Sequence, residues 1–238
     1  MKVFITFSVL FSFLLLIKAS ELALKRLQLK NELFSLSASL NRGFIASNDD
    51  KLKIESIVEN LSALEPEDGK DYTRGLLGGT NSIDCPLDST WKLVFTTAFD
   101  VLSIDINPFA KVEAIFQDLS ANGDSVNIID IGPPFSVLTS GYKSITRLKV
   151  KTRAKARSKS RVSLNFVGVE VTSKSTFGID TSFLPSLKAN FPNIGNMINE
   201  DNTPGYFDVK YLDDDCLIIQ QNEPGGIFVS LRDKERIE

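Results

Sequence analysis

The chain has 238 residues, 42% of them hydrophobic, and a formal net charge of -3. This composition suits a globular domain with a real core and gives no whole-chain attraction for nucleic acid. Histidine is absent, which excludes an imidazole base, metal ligand or pH switch. The two cysteines, Cys85 and Cys216, are too few for a structural zinc site. They either form a disulfide in an oxidising compartment or stay as separate thiols.

Residues 1–20 have the pattern of a targeting segment. Lys2 precedes an apolar run over residues 3–17, and Lys18-Ala19-Ser20 then offers small residues for cleavage. The run is shorter than the ~20 apolar residues that a membrane-spanning helix needs. We therefore expect a cleaved secretory signal peptide, with a retained anchor and a core helix as alternatives.

Residues 21–64 predict an N-terminal helical region. Apolar side chains recur there at spacings of three, four and seven, namely Leu22, Leu29, Leu33, Leu36 and Leu40. The Asn41-Arg42-Gly43 step breaks this pattern, and residues 48–50 offer caps for a second amphipathic helix. Residues 65–86 are rich in Gly, Pro and Asp, and they predict a linker.

From residue 89 onward the apolar pattern has a period of two. Strand-like runs begin with Trp91, Leu93 and Phe95 and continue at 112–119, 125–131, 145–154, 161–171, 207–212, 217–220 and 227–232. Residues 121–124 form a hairpin-type turn. The prolines within residues 180–204 predict a loop with short helical turns. About eight strands favour a mainly β fold, an antiparallel β-barrel over residues 87–235 that follows the N-terminal helices.

A run of cations occupies strictly alternate positions between residues 147 and 161. We call it the basic ladder; it consists of Arg147, Lys149, Lys151, Arg153, Lys155, Arg157, Lys159 and Arg161. On a strand all of these side chains share one face, and the length of the run predicts a hairpin turn near residues 156–160.

The basic ladder admits three interpretations. Anionic lipid head groups would attract it by ~1 kcal/mol per cation, and an acidic partner protein is a related possibility. A solvated strand face is the plain structural alternative. Nucleic acid is the weakest, because no aromatic side chains interleave with the cations to stack on bases.

Four segments of the chain together carry a family pattern. Residues 30–47 contain an Arg-Gly and an Ala-Ser step, residues 87–97 place a Trp before a Leu and an aromatic-Thr-Thr, and residues 161–166 read Arg-Val-Ser-Leu-Asn-Phe. The most specific part is the closing pair of segments, 205–215 and 227–232. Over residues 30–235 the chain resembles the plastid lipid-associated proteins, also called fibrillins. It departs from them at Ser89, where Gly is common, and at residues 220–222, where Arg-Gly-Asn is common.

The resemblance implies a lipocalin-like barrel that holds one apolar molecule, a lipid or an isoprenoid. Its lining would be Trp91, Leu93, Phe95, Phe166, Phe207, Val209 and Tyr211, although plain core packing explains each of these residues equally well. By analogy with lipocalins, Trp91 would pack against Arg232 in a cation–π contact. The resemblance implies no catalytic residue, cofactor or metal, and peripheral contact with a membrane or lipid globule.

Acidic residues and cysteines do not assemble into a reaction centre in the sequence. Asp208 and Asp213-Asp214-Asp215 lack the spacing of a calcium loop, and a polar turn between two strands explains them better. A catalytic cysteine needs a base partner, usually histidine, and the chain has none.

The signal-like segment and the family resemblance point to different compartments. Algae with plastids of secondary origin import plastid proteins through the secretory pathway, which reconciles the two. We therefore expect a non-catalytic lipid-associated protein of such a plastid. The alternatives are a secreted or endoplasmic-reticulum carrier of lipocalin type, and a scaffold that binds an acidic protein through the basic ladder.

Overall fold

The computed structural model describes residues 2–64, 71–79, 84–103, 111–133, 144–190, 205–222 and 225–233. Its helices are α1 (Lys2–Ser39), α2 (Asn48–Ala63) and α3 (Phe99–Leu102). Its strands are β1 (Ser89–Thr96), β2 (Lys111–Leu119), β3 (Asp124–Gly132), β4 (Ile145–Ala156), β5 (Arg161–Thr176), β6 (Ile179–Asp180), β7 (Leu187–Asn190), β8 (Gly205–Leu212), β9 (Cys216–Gln221) and β10 (Gly226–Asp233).

Eight strands form a closed antiparallel ring. Going around it, the order is β1, β2, β3, β4, β5, β8, β9 and β10, and β10 pairs with β1 again. Closure satisfies the backbone groups that an open sheet leaves at its edges. The predicted barrel fold is confirmed, and the β4–β5 turn falls at residues 157–160, inside the predicted interval.

Strand β5 is longer than its neighbour β8. It pairs with β8 over Arg161–Leu164 and with β7 over Gly168–Val171, while its last residues pair with β6. In the described part of residues 180–204, the expected loop is wrong at residues 187–190, which form strand β7. The physical reason is that the overhanging edge of β5 needs backbone partners. Before residues 187–190 there is a single turn, in which the backbone N–H of Leu184 donates to the carbonyl of Thr181 at 3.0 Å. Residues 191–204 lie outside the described part of the chain.

The helices cover the outside of one side of the barrel. Helix α2 begins with a capping box in which Ser47 and Asp50 bond to each other's backbone N–H groups. Buried side chains of α1, of α2 and of the residue just after α1 pack on β1, β8, β9 and β10, and they are Leu33, Leu40, Ile54, Ile57, Val58 and Leu61. Among the described residues, no helix has both the length and the apolar character that a membrane span needs.

The loop between α1 and α2 anchors the helices to the barrel wall. The backbone N–H of Thr96 donates to the carbonyl of Arg42 at 3.0 Å. The Arg42 guanidinium donates to the carbonyls of Val112 and Glu113 at 2.6 and 3.0 Å, beside a bulge in β2. The Arg-Gly step of the sequence is thus a joint between the helical layer and the barrel.

Part of the predicted linker is a structured cap. Within residues 71–79, Tyr72 donates from its backbone N–H to the carbonyl of Lys159 at 2.8 Å, and the Thr73 hydroxyl donates to that of Ser158 at 2.7 Å. Leu76 is buried in the cluster that fills the adjoining end of the barrel. This segment covers the end of the barrel at the β4–β5 turn, which we call the closed end.

Candidate functional site

The interior at the closed end is filled by side chains. Trp91, Phe207, Val209, Leu119 and Ala154 share one buried cluster there, together with Leu76 of the cap. The indole N–H of Trp91 donates to the carbonyl of Leu87 at 3.0 Å. This cluster forms a floor beneath the rest of the interior.

The contact expected between Trp91 and Arg232 is present. The guanidinium carbon of Arg232 lies 4.4 Å from the centre of the Trp91 ring, and a terminal nitrogen donates to the carbonyl of Pro86 at 3.0 Å. Arg232 therefore joins the last strand to the residues before the first one.

Two β-bulges overturn part of the predicted lining. In β1 the pairing with β10 passes from Leu93 opposite Ser230 to Phe95 opposite Val229, so one extra residue enters the strand. In β8 the same happens between Val209 and Tyr211. An extra residue reverses the alternation of faces. Phe95 and Tyr211 consequently point outward and pack with helices α1 and α2, while Leu93 stays inside with Val112 and Ile115.

The opposite end of the interior, which we call the open end, is covered only in part: Phe44 and Val101 pack on Leu93, Val112 and Ile115, while the side of β4 and β5 is less buried. Strand β4 pairs with β3 without a break in register, so Leu148 and Val150 share the inward face with fully buried Ala154. Yet Leu148 and Val150 are only half-buried, as are their neighbours Val169 and Val171 on β5. These four residues form what we call the open half of the barrel.

Phe166, the remaining residue of the predicted lining, lies beside a bulge in β5. A bulge in β5 places Val167 between the residues that pair with Lys151 and Thr152, and Phe166 lies opposite Thr152. It is 50% exposed, so it does not belong to the buried floor. Strand β8 pairs with β5 only as far as Leu164, so among the described residues Phe166 has a strand neighbour on the β4 side alone.

Half of the basic ladder is neutralised by carboxylates from neighbouring strands. Arg147 is buried and binds Asp130 through Nε at 2.7 Å and Nη2 at 2.9 Å, which corrects its placement on an exposed face. The other ion pairs are Lys151–Glu170, Arg153–Asp124 and Arg161–Asp208. The hydrogen bond from Lys151 lowers the pKa of Glu170 to about 2. Lys149, Lys155 and Lys159 have no ion-pair partner among the described residues.

Two sizeable cavities lie on the outside of the barrel. One, of about 710 Å³, lies beside the contact between α2 and the sheet and is lined by Glu55, Glu59, Phe99, Lys210, Gly225 and Gly226, among others. The other, of about 450 Å³, lies beside the open half and is lined by Arg147, Lys149, Thr172, Lys174, Gly178 and Asp180, among others. Cavities of this size are typical of small-molecule sites.

Comparison with known proteins assigns the chain to a family. The family model PAP_fibrillin matches residues 27–230, which is most of the chain. This protein is a member of the fibrillin family. A comparison with curated proteins found no match. Membership makes it a plastid lipid-associated protein, in a family that is structural and generally non-catalytic.

The acidic turn of this fibrillin is a structural clamp on helix α1. Lys30 of α1 forms ion pairs with Asp213, at 2.8 Å, and with Asp215, while the Tyr211 hydroxyl donates to Asp213 at 2.5 Å. Burial by itself would raise the pKa of Asp213, but hydrogen bonds with Asp215, Lys30 and Tyr211 outweigh it and hold that pKa well below the usual range. The sequence predicted the polar turn, but it gave no signal that Lys30 was its partner.

The cysteines of this fibrillin are free thiols in the structure. Cys216 is buried on the helix-covered face, and burial raises its pKa. Cys85 packs against the cluster of the closed end, and burial raises its pKa too. Among the described residues, no three His, Cys, Asp or Glu side chains come together as metal ligands.

Proposed function

We propose that this fibrillin binds one apolar lipid or isoprenoid in the open half of its barrel and carries or stabilises it without covalent chemistry. One observation carries the proposal: inward-facing apolar side chains are left half-buried above a closed aromatic floor. Leu148, Val150, Val169 and Val171 all point inward, and none of them is fully covered by the chain.

The energetics favour an apolar occupant of this space. Removing apolar surface from water stabilises a complex by roughly 25 cal/mol per Å². The floor around Trp91 limits how deep a ligand can enter, so a ring or an isoprenoid end would rest on it while the remainder reaches the mouth. The described groups with shifted pKa, such as Asp213 and Glu170, hold elements together, which supports a non-catalytic role.

The proposed location is a lipid globule or the thylakoid membrane of a plastid. Family membership points to the plastid, and the apolar run at residues 3–17 supports entry through the secretory pathway. The free thiols Cys85 and Cys216 give the alternative of an exported carrier no support. The cations without ion pairs at the closed end, Lys155 and Lys159, favour a second candidate, docking of an acidic partner protein.

Native mass spectrometry with lipid extraction tests the proposal directly. Protein purified from photosynthetic cells is expected to carry a carotenoid, quinone or acyl lipid in stoichiometric amount. The same measurement on a Val150→Glu variant is expected to show the ligand lost, because a charge then faces the interior.

The matched control is Val126→Glu. Val126 is also a half-buried valine, but it lies opposite Lys151 on the outward face of β3, where a carboxylate meets a cation. This variant should keep its ligand. Protein that is empty when isolated, or equal ligand loss in both folded variants, would contradict the proposal.

A further inference from the structure

Five large apolar side chains stand exposed at the open end of the barrel. They lie within residues 177–187, just after the overhanging end of β5, and we call them the hydrophobic tip: Phe177, Ile179, Phe183, Leu184 and Leu187, each between 45% and 79% exposed. Clusters of exposed apolar side chains of this kind mark interaction surfaces.

The turn at the tip contains a residue that the backbone disfavours. Phe177 and Gly178 form a two-residue hairpin loop between Thr176 and Ile179, with φ of +50° and +81°. Such loops favour Asn, Asp and Gly, and a bulky side chain at positive φ is costly. Phe177 is 62% exposed, so contacts within the chain do not offset the strain of its backbone. Its aromatic ring is therefore suited to a contact outside the fold.

The tip is held in place by hydrogen bonds to the barrel wall. The backbone N–H of Phe177 donates to the Ser144 hydroxyl at 2.9 Å. The backbone N–H of Thr181 donates to the carbonyl of Lys174 at 3.1 Å, and its hydroxyl lies 2.6 Å from that of Ser173. These hydrogen bonds fix the backbone from which the exposed apolar side chains project.

Cations flank the tip. The cavity of about 450 Å³ adjoins it through Gly178 and Asp180, and Arg147, Lys149 and Lys174 line its other side. Asp130 forms an ion pair with Arg147 and a longer one, at 3.9 Å, with Lys174. Lys149 has no ion pair among the described residues. Exposed apolar groups beside cations and hydroxyls match the boundary between acyl chains and phosphate head groups.

We propose that the hydrophobic tip inserts into an anionic lipid surface, with Lys149 and Lys174 on the head-group phosphates, so that the barrel docks with its open end toward the lipid. This inference deepens the proposed function and rests on its lipid association.

Tryptophan fluorescence on the full chain tests the orientation. The chain has one tryptophan, Trp91, which is fully buried, so a second one at an exposed site reports its own surroundings. Phe177→Trp is mixed with vesicles of phosphatidylglycerol and phosphatidylcholine whose acyl chains carry bromine as a quencher. We expect it to lose about half of its added emission or more.

Leu77→Trp is the matched control at the closed end, where Leu77 is 46% exposed. We expect no quenching of Leu77→Trp. If Phe177→Trp fails to fold, Phe183→Trp repeats the test at the tip. Equal quenching at both ends, or quenching at neither, overturns the proposal. A dimer that Phe177→Ser abolishes also overturns it, because the tip would then be a protein interface.

Charge removal tests the head-group contacts. Lys149→Ala and Lys174→Ala are each expected to weaken binding to the phosphatidylglycerol vesicles about fivefold and to leave binding to pure phosphatidylcholine unchanged. An unchanged affinity for both kinds of vesicle contradicts this part.

Because the ligand of the open half is measured by mass spectrometry, a ligand-loaded protein without tip quenching refutes the docking alone. An empty protein with a quenched tip refutes the carrier function alone.

Discussion

Gly43 lies where the loop after α1 touches β1, and it shows how one residue sets the position of a whole layer. Its φ is +100°, and a Cβ atom there would lie 2.1 Å from the carbonyl oxygen of Thr96. The helices pack on the barrel only if this loop passes close to the strand. The sequence identified the break at residues 41–43, but the reason for the glycine lies in a residue more than fifty positions away.

Replacing Gly43 tests this contact. Gly43→Ala is expected to lower the free energy of unfolding by about 2 kcal/mol or more, because the left-handed backbone and the clash with Thr96 both oppose a side chain. Denaturant titration measures the change. Gly205→Ala is the control, since a Cβ there meets only the Leu164 carbonyl oxygen at 3.9 Å. Similar losses in the two variants would refute the role of the close approach.

At the scale of elements, alternation along single strands was predicted well and the bulges were not. Trp91, Phe207 and Val209 lie inside as their period of two predicts, and the Trp91–Arg232 contact followed from the family resemblance. Phe95 and Tyr211 lie outside because an extra residue in a strand shows only against its partner strand. No local pattern marks such a residue.

The ion pairs of the basic ladder also depend on strand pairing that the sequence does not reveal. Its regular spacing on β4 was visible in the sequence, and that strand is regular in the structure. The carboxylates that neutralise it come from β3, from the far part of β5 and from β8, and they include Asp130, Glu170 and Asp208. Sequence alone cannot pair these strands in register, so it overestimates the free positive charge.

The clamp between α1 and the β8–β9 turn makes the helix layer sensitive to acid. The pKa of Asp213 in the folded protein is below its unfolded value of ~3.9, so its contribution to stability is present above that pH and is lost as the pH falls below it. Stability of the wild type should therefore decline below about pH 4. Asp213→Asn should be less stable at neutral pH and should show a smaller decline in acid.

Asp214→Asn is the control for that experiment, because Asp214 is an exposed neighbour in the same turn. It should follow the wild-type curve when unfolding is measured by circular dichroism across the acid range. An Asp213→Asn curve that runs parallel to the wild type would contradict the clamp.

At the scale of the whole molecule, the ring depends on its last strand. β10 pairs with both β9 and β1, and Arg232 lies over the Trp91 ring. Removing β10 would expose the edges of two strands and open the floor of the interior. The barrel is thus a single cooperative unit rather than a sum of hairpins.

Truncation measures this dependence. A chain that ends at residue 225 is expected to lose its near-ultraviolet circular dichroism signal and to aggregate, whereas a chain that ends at Asp233 should keep the native spectrum. A soluble, native-like spectrum from the shorter chain would show that β10 is dispensable.

The pairing of β1 with β10 also determines when the ring can close during synthesis of the chain. Thr90 pairs with Asp233, so the first strand of the barrel has both of its neighbours only after all the other strands of the ring have been made. Contacts between such distant residues form slowly. A chain still emerging from a ribosome therefore cannot close the ring until β10 has been made. Until β10 is available, β1 presents an unpaired strand edge, which is prone to pair with other chains.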